Sequence, residues 1–196
     1  MKRLTDFILV LVSAPFWLPL FILVAIMIRV FMGAPVFFRQ TRAGYRERPF
    51  TCLKFRTMRS GPGTDAERTP RLGRFLRASS LDELPQLFQV LTGTMSLVGP
   101  RPLPVAYLTR YTPAERRRHE VRPGITGWAQ INGRNTISWE EKFALDLWYV
   151  DHASWLLDWK IIFMTIAKTL RRSDINQSET ETMSELRPEK ASNPRQ

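Results

Sequence analysis

The chain has 196 residues, of which 29 are lysine or arginine and 18 are aspartate or glutamate, so its formal net charge is +11. The single cysteine, Cys52, excludes a scaffold held by intrachain disulfides, and the length allows one modest domain with appendages. The excess of positive charge indicates an anionic partner, which could be nucleic acid, anionic lipid or a phosphorylated substrate.

The N-terminal segment, residues 7–28, contains no charged residue and is long enough to cross a bilayer as a helix. Pro15 and Pro19 lie near its middle, where a proline removes a helical hydrogen bond and introduces a kink. Basic residues flank both ends, and the positive-inside rule favours the cytoplasm for both flanks. The pattern leaves two topologies open: a kinked single span, or a helix that breaks before Pro15 and returns to the same face. The Ser13 hydroxyl is a candidate partner for carbonyls freed at the break.

Short elements follow this segment. Two apolar runs, residues 36–40 and 50–55, are separated by a turn-like Ala43-Gly44-Tyr45 and predict a β-hairpin. Helical patterns are present over residues 84–91, 113–119, 138–149 and 155–172. Ser138 and Glu141 have the spacing of a capping box at the start of the third helix. The fourth helix is amphipathic, and its pattern fits either packing on a core or lying in a membrane interface.

The C-terminal residues 173–196 differ in composition from the rest. They are rich in serine, threonine, glutamate, asparagine and glutamine, and their acidic residues outnumber their basic ones. Such a segment cannot bury enough apolar surface to fold, so a disordered tail is predicted. The predicted organisation is a membrane segment over residues 1–33, a catalytic domain over residues 34–172 and a tail over residues 173–196.

The adjacent acids Asp82 and Glu83 are the strongest candidates for chemistry. They follow Ser79-Ser80, which has the composition of a helix N-cap, and basic residues crowd both sides of them. Carboxylates surrounded by positive charge have lowered pKa values, and they can hold a cation or attack an electrophile. A capped helix start would also direct free N–H groups at an anion. The simpler alternative is a surface helix whose first turn carries acids because the helix dipole favours them.

Residues 122–135 form a polar stretch interrupted by glycines, which lets backbone approach a ligand closely. A connection of this length with no role would be unusual.

His119 and His152 are far apart in the chain, and neither has the spacing of a catalytic triad. One cysteine and two distant histidines predict no cysteine- or histidine-based metal site.

Six blocks of the chain resemble, in order, the bacterial sugar transferase family of monotopic polyprenyl-phosphate phosphoglycosyl transferases. These blocks are residues 2–6, 37–40, 54–58, 76–87, 95–102 and 122–135. The similarity runs from residue 2 to about residue 172, and the short chain is most similar to the minimal, PglC-like members. The resemblance implies an α+β fold, mostly α, in which a re-entrant helix-break-helix precedes a small cytosolic catalytic domain with amphipathic interfacial helices.

The same resemblance implies a reaction. A phosphosugar passes from a UDP-sugar to undecaprenyl phosphate, UMP is released, and Mg²⁺ is required. Asp82 would be the nucleophile that forms an aspartyl phosphosugar, and Glu83 would help to position the metal or manage a proton. Both acids are therefore the expected metal ligands. An N-acetylated sugar such as diacetamidobacillosamine is the sugar expected from the minimal members.

The expected substrate-binding residues are all basic or amide side chains. Arg77 and Arg101 are expected to contact phosphate, followed by Lys54 and Arg56, while the remaining candidates for the nucleotide or sugar are Arg122, Arg134 and Asn135. The family's topology places the protein on the cytoplasmic face of the bacterial inner membrane, in contact with membrane lipid. This chain has Ser13-Ala14-Pro15 where the family often has serine directly before the proline.

Two other functions remain open from the sequence. A glycosyl transferase that moves only the sugar would release UDP instead of UMP. A non-catalytic basic membrane adaptor would bind anionic lipid or nucleic acid without turnover. A nucleic-acid role would leave the apolar segment unexplained, so no nucleic-acid partner is expected.

Overall fold

The apolar N-terminal segment forms two helices joined at Ser13: α1 over Lys2–Val12 and α2 over Ala14–Phe31. The structure, a computed structural model, describes residues 2–133, 137–171 and 186. Among these, α2 is the one helix long and apolar enough to cross a membrane, with 18 residues and a mean hydropathy of 2.1.

Side chains satisfy the backbone carbonyls at the junction of α1 and α2. The Ser13 hydroxyl donates to the carbonyl oxygens of Leu9 at 2.7 Å and Val10 at 3.1 Å. The Trp17 indole N–H also donates to the Val10 carbonyl oxygen, at 3.0 Å. Polar backbone in an apolar environment needs such partners, so the Ser13 hydroxyl has the contacts that the sequence predicts for it.

The predicted hairpin is present. Strand β1, Phe37–Ala43, pairs with antiparallel β2, Pro49–Phe55, so that Phe37 lies opposite Phe55 and Ala43 opposite Pro49. A 3₁₀ turn over Tyr45–Glu47 joins them, with Arg46 and Glu47 in the left-handed region at φ 53° and 60°.

The remaining elements are short helices and a second pair of strands. The helices are α3 Asp65–Arg68, α4 Arg71–Ala78, α5 Gln86–Thr92, α6 Pro113–Arg116, α7 Trp128–Asn132, α8 Trp139–His152 and α9 Trp155–Arg171. Strands β3, Ser96–Val98, and β4, Gly124–Thr126, are parallel. A Cβ atom at Gly124 would lie 2.1 Å from the Gly99 nitrogen, so this close approach requires glycine. The mostly helical α+β class is therefore as predicted.

The inner faces of α1 and α2 pack on the rest of the protein. Val10 and Trp17 share a buried cluster with Val90 of α5 and Met95. A second cluster joins α2 to β2 and α4 through Val24, Ile28, Phe55 and Leu76. The outer faces instead expose large apolar side chains, among them Leu4, Leu11, Phe16, Ile22, Ile26, Val30 and Phe31.

Both ends of the helix pair contact the same domain. At the start, Lys2 Nζ donates to the Tyr149 hydroxyl at 3.0 Å and pairs with Asp158 of α9. At the end, the Arg56 guanidinium donates to the carbonyl oxygens of Met32, Gly33 and Ala34. Both ends of the apolar segment therefore contact residues that follow α2 in the chain.

Helices α8 and α9 match the sequence patterns. Ser138 accepts a hydrogen bond from the Glu141 N–H at 3.1 Å, and Glu141 Oε2 accepts one from the Ser138 N–H at 2.8 Å, which completes the predicted capping box. Ile161 of α9 is fully buried, whereas four of its large apolar residues are exposed: Trp155, Leu156, Phe163 and Ile166. Helix α9 thus packs on the core and also has an exposed apolar face. That this face lies in a membrane interface stays a prediction.

One residue of the predicted disordered tail is packed. Leu186 is 0% exposed and lies in a cluster with Leu103, Tyr111 and Phe143. The Arg110 Nη1 atom donates to the Leu186 carbonyl oxygen at 2.8 Å. This one packed side chain does not decide the state of the tail, so the disordered tail stays a prediction. The other tail residues lie outside the described part of the chain, and the division into residues 1–33, 34–172 and 173–196 stays a prediction.

Candidate active site

Asp82 and Glu83 lie in a 3₁₀ turn, Leu81–Glu83, between α4 and α5. The predicted serine cap is wrong. Ser80 adopts a left-handed conformation with φ 57°, and its side chain does not cap the turn. The Ser79 hydroxyl instead donates to the Phe75 carbonyl oxygen at 2.7 Å, at the end of α4. The side chain of Ser79 therefore contacts the end of α4, and neither serine side chain caps the turn that follows.

Two cations from distant parts of the chain meet Glu83. Lys54 of β2 places its Nζ atom 2.6 Å from Glu83 Oε1, and Arg101, in the loop after β3, places Nη2 2.7 Å from the same oxygen. Lys54 Nζ is also 3.7 Å from Asp82 Oδ2. The structure thus brings together four residues that the sequence predicts for one site.

The surroundings shift the pKa values of the two carboxyls in opposite directions. Burial raises the pKa of Asp82, and this effect is opposed by the charge of Lys54. Burial also acts to raise the pKa of Glu83, but Arg101 and Lys54 outweigh it and lower that pKa to about 2. The expectation of lowered pKa values therefore holds for Glu83 and is wrong for Asp82. Two cations hold Glu83 as an anion, whereas Asp82 is the more basic of the two carboxylates.

Arg77 lies at the same site, on the last turn of α4. Its Nε atom donates to the Thr57 hydroxyl at 2.9 Å, and its charge acts to lower the pKa of Asp82. Arg71 and Arg74, at three-residue intervals before it, are exposed along the same helix. This arrangement supplies positive charge that an entering phosphate could contact.

The other predicted substrate residues have different surroundings. Arg56 is buried, and its hydrogen bonds go to the three carbonyls at the end of α2. Arg122 Nε donates to the Gly93 carbonyl oxygen at 3.0 Å, and the guanidinium lies 5.4 Å from the Tyr45 ring centre. Neither has a described contact with Asp82 or Glu83, so their roles in substrate binding stay predictions. Arg134 and Asn135 lie outside the described residues.

The Asp82 and Glu83 carboxylates would supply only some of the ligands of a Mg²⁺ ion. In the described part of the chain, they are not grouped with a third aspartate, glutamate, histidine or cysteine. Magnesium is commonly held by one or two carboxylates together with substrate phosphates and water. Because Glu83 Oε1 already contacts two cations, the Asp82 carboxylate is the less occupied donor. The donor set therefore suits an ion that takes most of its ligands from a diphosphate.

A buried ion pair behind Arg101 was not predicted from the sequence. Arg118 Nη2 donates to Asp146 Oδ2 at 2.6 Å and to the Arg101 carbonyl oxygen at 2.9 Å. The Arg118 and Asp146 side chains are 1% and 2% exposed. The available signal was an acid among apolar neighbours, because Asp146 lies between Leu145 and Leu147 on α8.

His119 has no described hydrogen bond to Asp82 or Glu83. It lines a cavity of about 380 Å³ beside the hairpin turn, together with Tyr45, Arg46, Glu47, Arg116 and Glu120. Burial lowers the pKa of His119 to about 4, so the ring is neutral near pH 7. Its Nδ1 lies 3.1 Å from the Gly44 carbonyl oxygen, a contact that requires the proton on Nδ1.

The sequence of this chain is similar to those of known proteins. The sequence profile described as "Bacterial sugar transferase" matches residues 1–172. A Bacillus subtilis protein, "Uncharacterized sugar transferase EpsL", is 55% identical over 157 residues, which cover 77% of this chain and 78% of that protein.

Longer relatives carry more specific names. The "UDP-glucose:undecaprenyl-phosphate glucose-1-phosphate transferase" of Xanthomonas campestris is 40% identical, covering 86% of this chain and 38% of that protein. The "UDP-galactose-lipid carrier transferase" of Erwinia amylovora is 37% identical, covering 88% of this chain and 41% of that protein. This chain therefore spans about two fifths of the length of these two relatives. Since the family profile matches most of the chain, the protein belongs to the bacterial sugar transferase family.

Proposed function

We propose that this protein transfers a sugar phosphate from a UDP-sugar to undecaprenyl phosphate and releases UMP. The observation that carries the proposal is the buried Asp82 carboxylate beside Glu83, with Lys54 and Arg101 held against the pair. Relatives named as undecaprenyl-phosphate glucose-1-phosphate transferases support the same reaction class.

In the first step, an Asp82 carboxylate oxygen attacks the β-phosphorus of the UDP-sugar. The bond from that phosphorus to the bridging oxygen breaks, and its electron pair leaves with UMP. An aspartyl phosphosugar remains on the enzyme. Phosphoryl transfer depends mainly on positioning and on neutralising charge, and Lys54, Arg77 and Arg101 provide fixed cations for this purpose.

In the second step, an oxygen of undecaprenyl phosphate attacks the phosphorus of the aspartyl phosphosugar. The bond to Asp82 breaks, the carboxylate is regenerated, and the product is an undecaprenyl diphosphate sugar. Glu83, fixed as an anion by its two cations, holds Lys54 and Arg101 in place through both steps. Asp82 and Glu83 would hold Mg²⁺, which when bound supplies further neutralisation of the diphosphate charge.

The second proposal concerns the membrane: α1 and α2 enter one leaflet and return to the cytoplasmic face, as in a monotopic protein. Its support is that Lys2 and the residues after α2 contact one domain, while the outer faces of both helices are apolar. If α2 crossed the bilayer, its two ends would lie on opposite sides of the membrane. Lys2 and the residues after α2 could then not both contact the same domain.

Labelling of single cysteines tests this topology. In a Cys52→Ser background, one cysteine is appended before Met1 and another replaces the exposed Arg48. A membrane-impermeant maleimide applied to oriented membrane vesicles is expected to label both positions from the cytoplasmic side alone. Labelling of the two positions from opposite sides would establish a single span and contradict the proposal.

The reaction is tested by identifying the nucleotide released. Detergent-purified protein is given Mg²⁺, undecaprenyl phosphate and, in turn, UDP-glucose, UDP-galactose, UDP-N-acetylglucosamine and UDP-diacetamidobacillosamine. UMP release with one of these donors is expected, and the donor that works identifies the sugar. UDP release would show sugar-only transfer, and no release from folded protein with any donor would favour the adaptor.

A further inference from the structure

We propose that Asp146 and Arg118 form a positioning pair, which sets the placement of Arg101 against Glu83 and so supports turnover. Neither residue contacts the reacting carboxylate, and neither was among the predicted site residues. The inference rests on the proposed function, because its main readout is the rate of UMP release.

The loop that carries Arg101 has little regular structure of its own. Residues 99–103, between β3 and the 3₁₀ turn Val105–Arg110, are neither helix nor strand, and prolines flank Arg101 on both sides. The backbone is held from outside: Gly124 N–H donates to the Pro100 carbonyl oxygen at 3.0 Å. Arg118 Nη2 donates to the carbonyl oxygen of Arg101 itself, at 2.9 Å. The Arg118 guanidinium therefore helps to fix the backbone of Arg101, from which the Arg101 side chain extends.

Arg118 is in turn fixed by its surroundings. Its Nε and Nη2 atoms donate to Asp146 Oδ2 at 3.1 and 2.6 Å, and its Nη1 atom donates to the Tyr111 hydroxyl at 3.3 Å. The Tyr111 and Phe143 ring centres lie 5.8 and 5.5 Å from the guanidinium carbon. A guanidinium with four hydrogen bonds and two rings beside it has few alternative orientations.

Stability alone is a weak reason for this arrangement. Both side chains are almost completely buried, and a buried ion pair often adds little net stability because both charges lose their hydration. Such a pair does, however, fix geometry. The contacts run without interruption from Asp146 through Arg118 to the Arg101 carbonyl, and from the Arg101 side chain to Glu83. Helix α8 is thereby connected to the catalytic carboxylates.

The first test separates positioning from stability. Replacing both partners in Arg118→Met/Asp146→Leu removes the charges together and keeps apolar volume, so near-normal thermal stability is expected. The kcat of UMP release is expected to fall about 10- to 100-fold, with a smaller change in KM, because the misplacement affects the reacting geometry. A double variant with normal stability and normal kcat would overturn the proposal.

A second test asks whether the effect passes through Arg101. In an Arg101→Met background, adding Arg118→Met/Asp146→Leu is expected to cause little further loss of kcat, because the positioned group is already absent. A full additional loss would overturn the proposal and assign the pair a different role. Activity is compared in the same folded preparations, with thermal unfolding as the check.

The neighbouring pair Arg117–Asp151 provides a matched control. Like Arg118 and Asp146, these residues lie on the 3₁₀ turn Arg117–Glu120 and on α8. Their side chains, however, are 45% and 46% exposed. Arg117→Met/Asp151→Leu is expected to leave kcat and KM unchanged, and an equal loss in this control would overturn the proposal.

If the wild-type protein itself released no UMP, the proposed function would fail and the inference with it. Turnover by the wild type with unaffected variants would reject the inference alone.

Discussion

Replacing Asp82 with asparagine is expected to reduce the rate of UMP release by at least about a thousandfold. Asparagine has nearly the same size, so the contacts of Glu83 with Lys54 and Arg101 can remain. The amide oxygen is a poor nucleophile and cannot carry the aspartyl phosphosugar. Initial rates with the active UDP-sugar, measured beside the wild type at equal protein concentration, check this expectation.

The control for Asp82→Asn is the same change at Asp65, an exposed acid at the start of α3. This variant loses the same charge and is expected to keep the wild-type rate. Thermal unfolding of both variants shows whether either has lost its fold. If Asp82→Asn retained more than about a tenth of the wild-type rate, the assignment of the nucleophile would be wrong.

Lys54→Met is expected to lower kcat/KM about 100- to 1,000-fold. Lys54 is the cation that contacts both carboxylates, at 2.6 Å from Glu83 and 3.7 Å from Asp82. Its loss removes positive charge at the point where the diphosphate must bind. Glu83 keeps Arg101 as a partner, so the fold of the turn is expected to survive.

The pH dependence of Lys54→Met provides a second readout. Asp82 must be deprotonated to attack, so activity falls as the pH drops through its pKa. Burial raises that pKa, while Lys54 acts to lower it. Without Lys54 the pKa rises further, and the acidic limb of the kcat/KM profile is expected to move to higher pH.

Arg39→Met is the matched control for Lys54→Met. Arg39 is an exposed cation on the other strand of the same hairpin, so the variant has the same change in net charge. Its acidic limb is expected to coincide with that of the wild type. A Lys54→Met profile that also coincided with the wild type would show that Asp82 is not the group that titrates.

Much of the fold follows from local sequence patterns. The evidence for these elements was local: the two apolar runs of the hairpin, the Ser138–Glu141 capping box and the apolar stripe of α9. The Ser79-Ser80 pair shows where such reasoning fails. Serine is favoured at a helix start, but Ser80 instead takes a left-handed conformation between the end of α4 and the Leu81–Glu83 turn.

The sequence predicts which residues form the site, but it does not predict which of their atoms contact one another. The sequence identifies Asp82 and Glu83 as adjacent acids. It identifies Lys54 and Arg101 as cations in two of the blocks that resemble the family. It does not indicate that both cations share one oxygen of Glu83. The pairing of Arg118 with Asp146 depends on tertiary packing between residues 28 positions apart, and no local pattern encodes it.

The most direct test of the account is the mass of the enzyme after reaction with the active UDP-sugar in the absence of undecaprenyl phosphate. Acid quenching, proteolysis and mass spectrometry are expected to find one sugar phosphate on the peptide containing Asp82, released by hydroxylamine as an acyl phosphate should be. Adding undecaprenyl phosphate before the quench is expected to discharge it, and Asp82→Asn is expected to show none. UMP formation with acceptor present, but with no adduct at any quench time, would contradict the covalent mechanism.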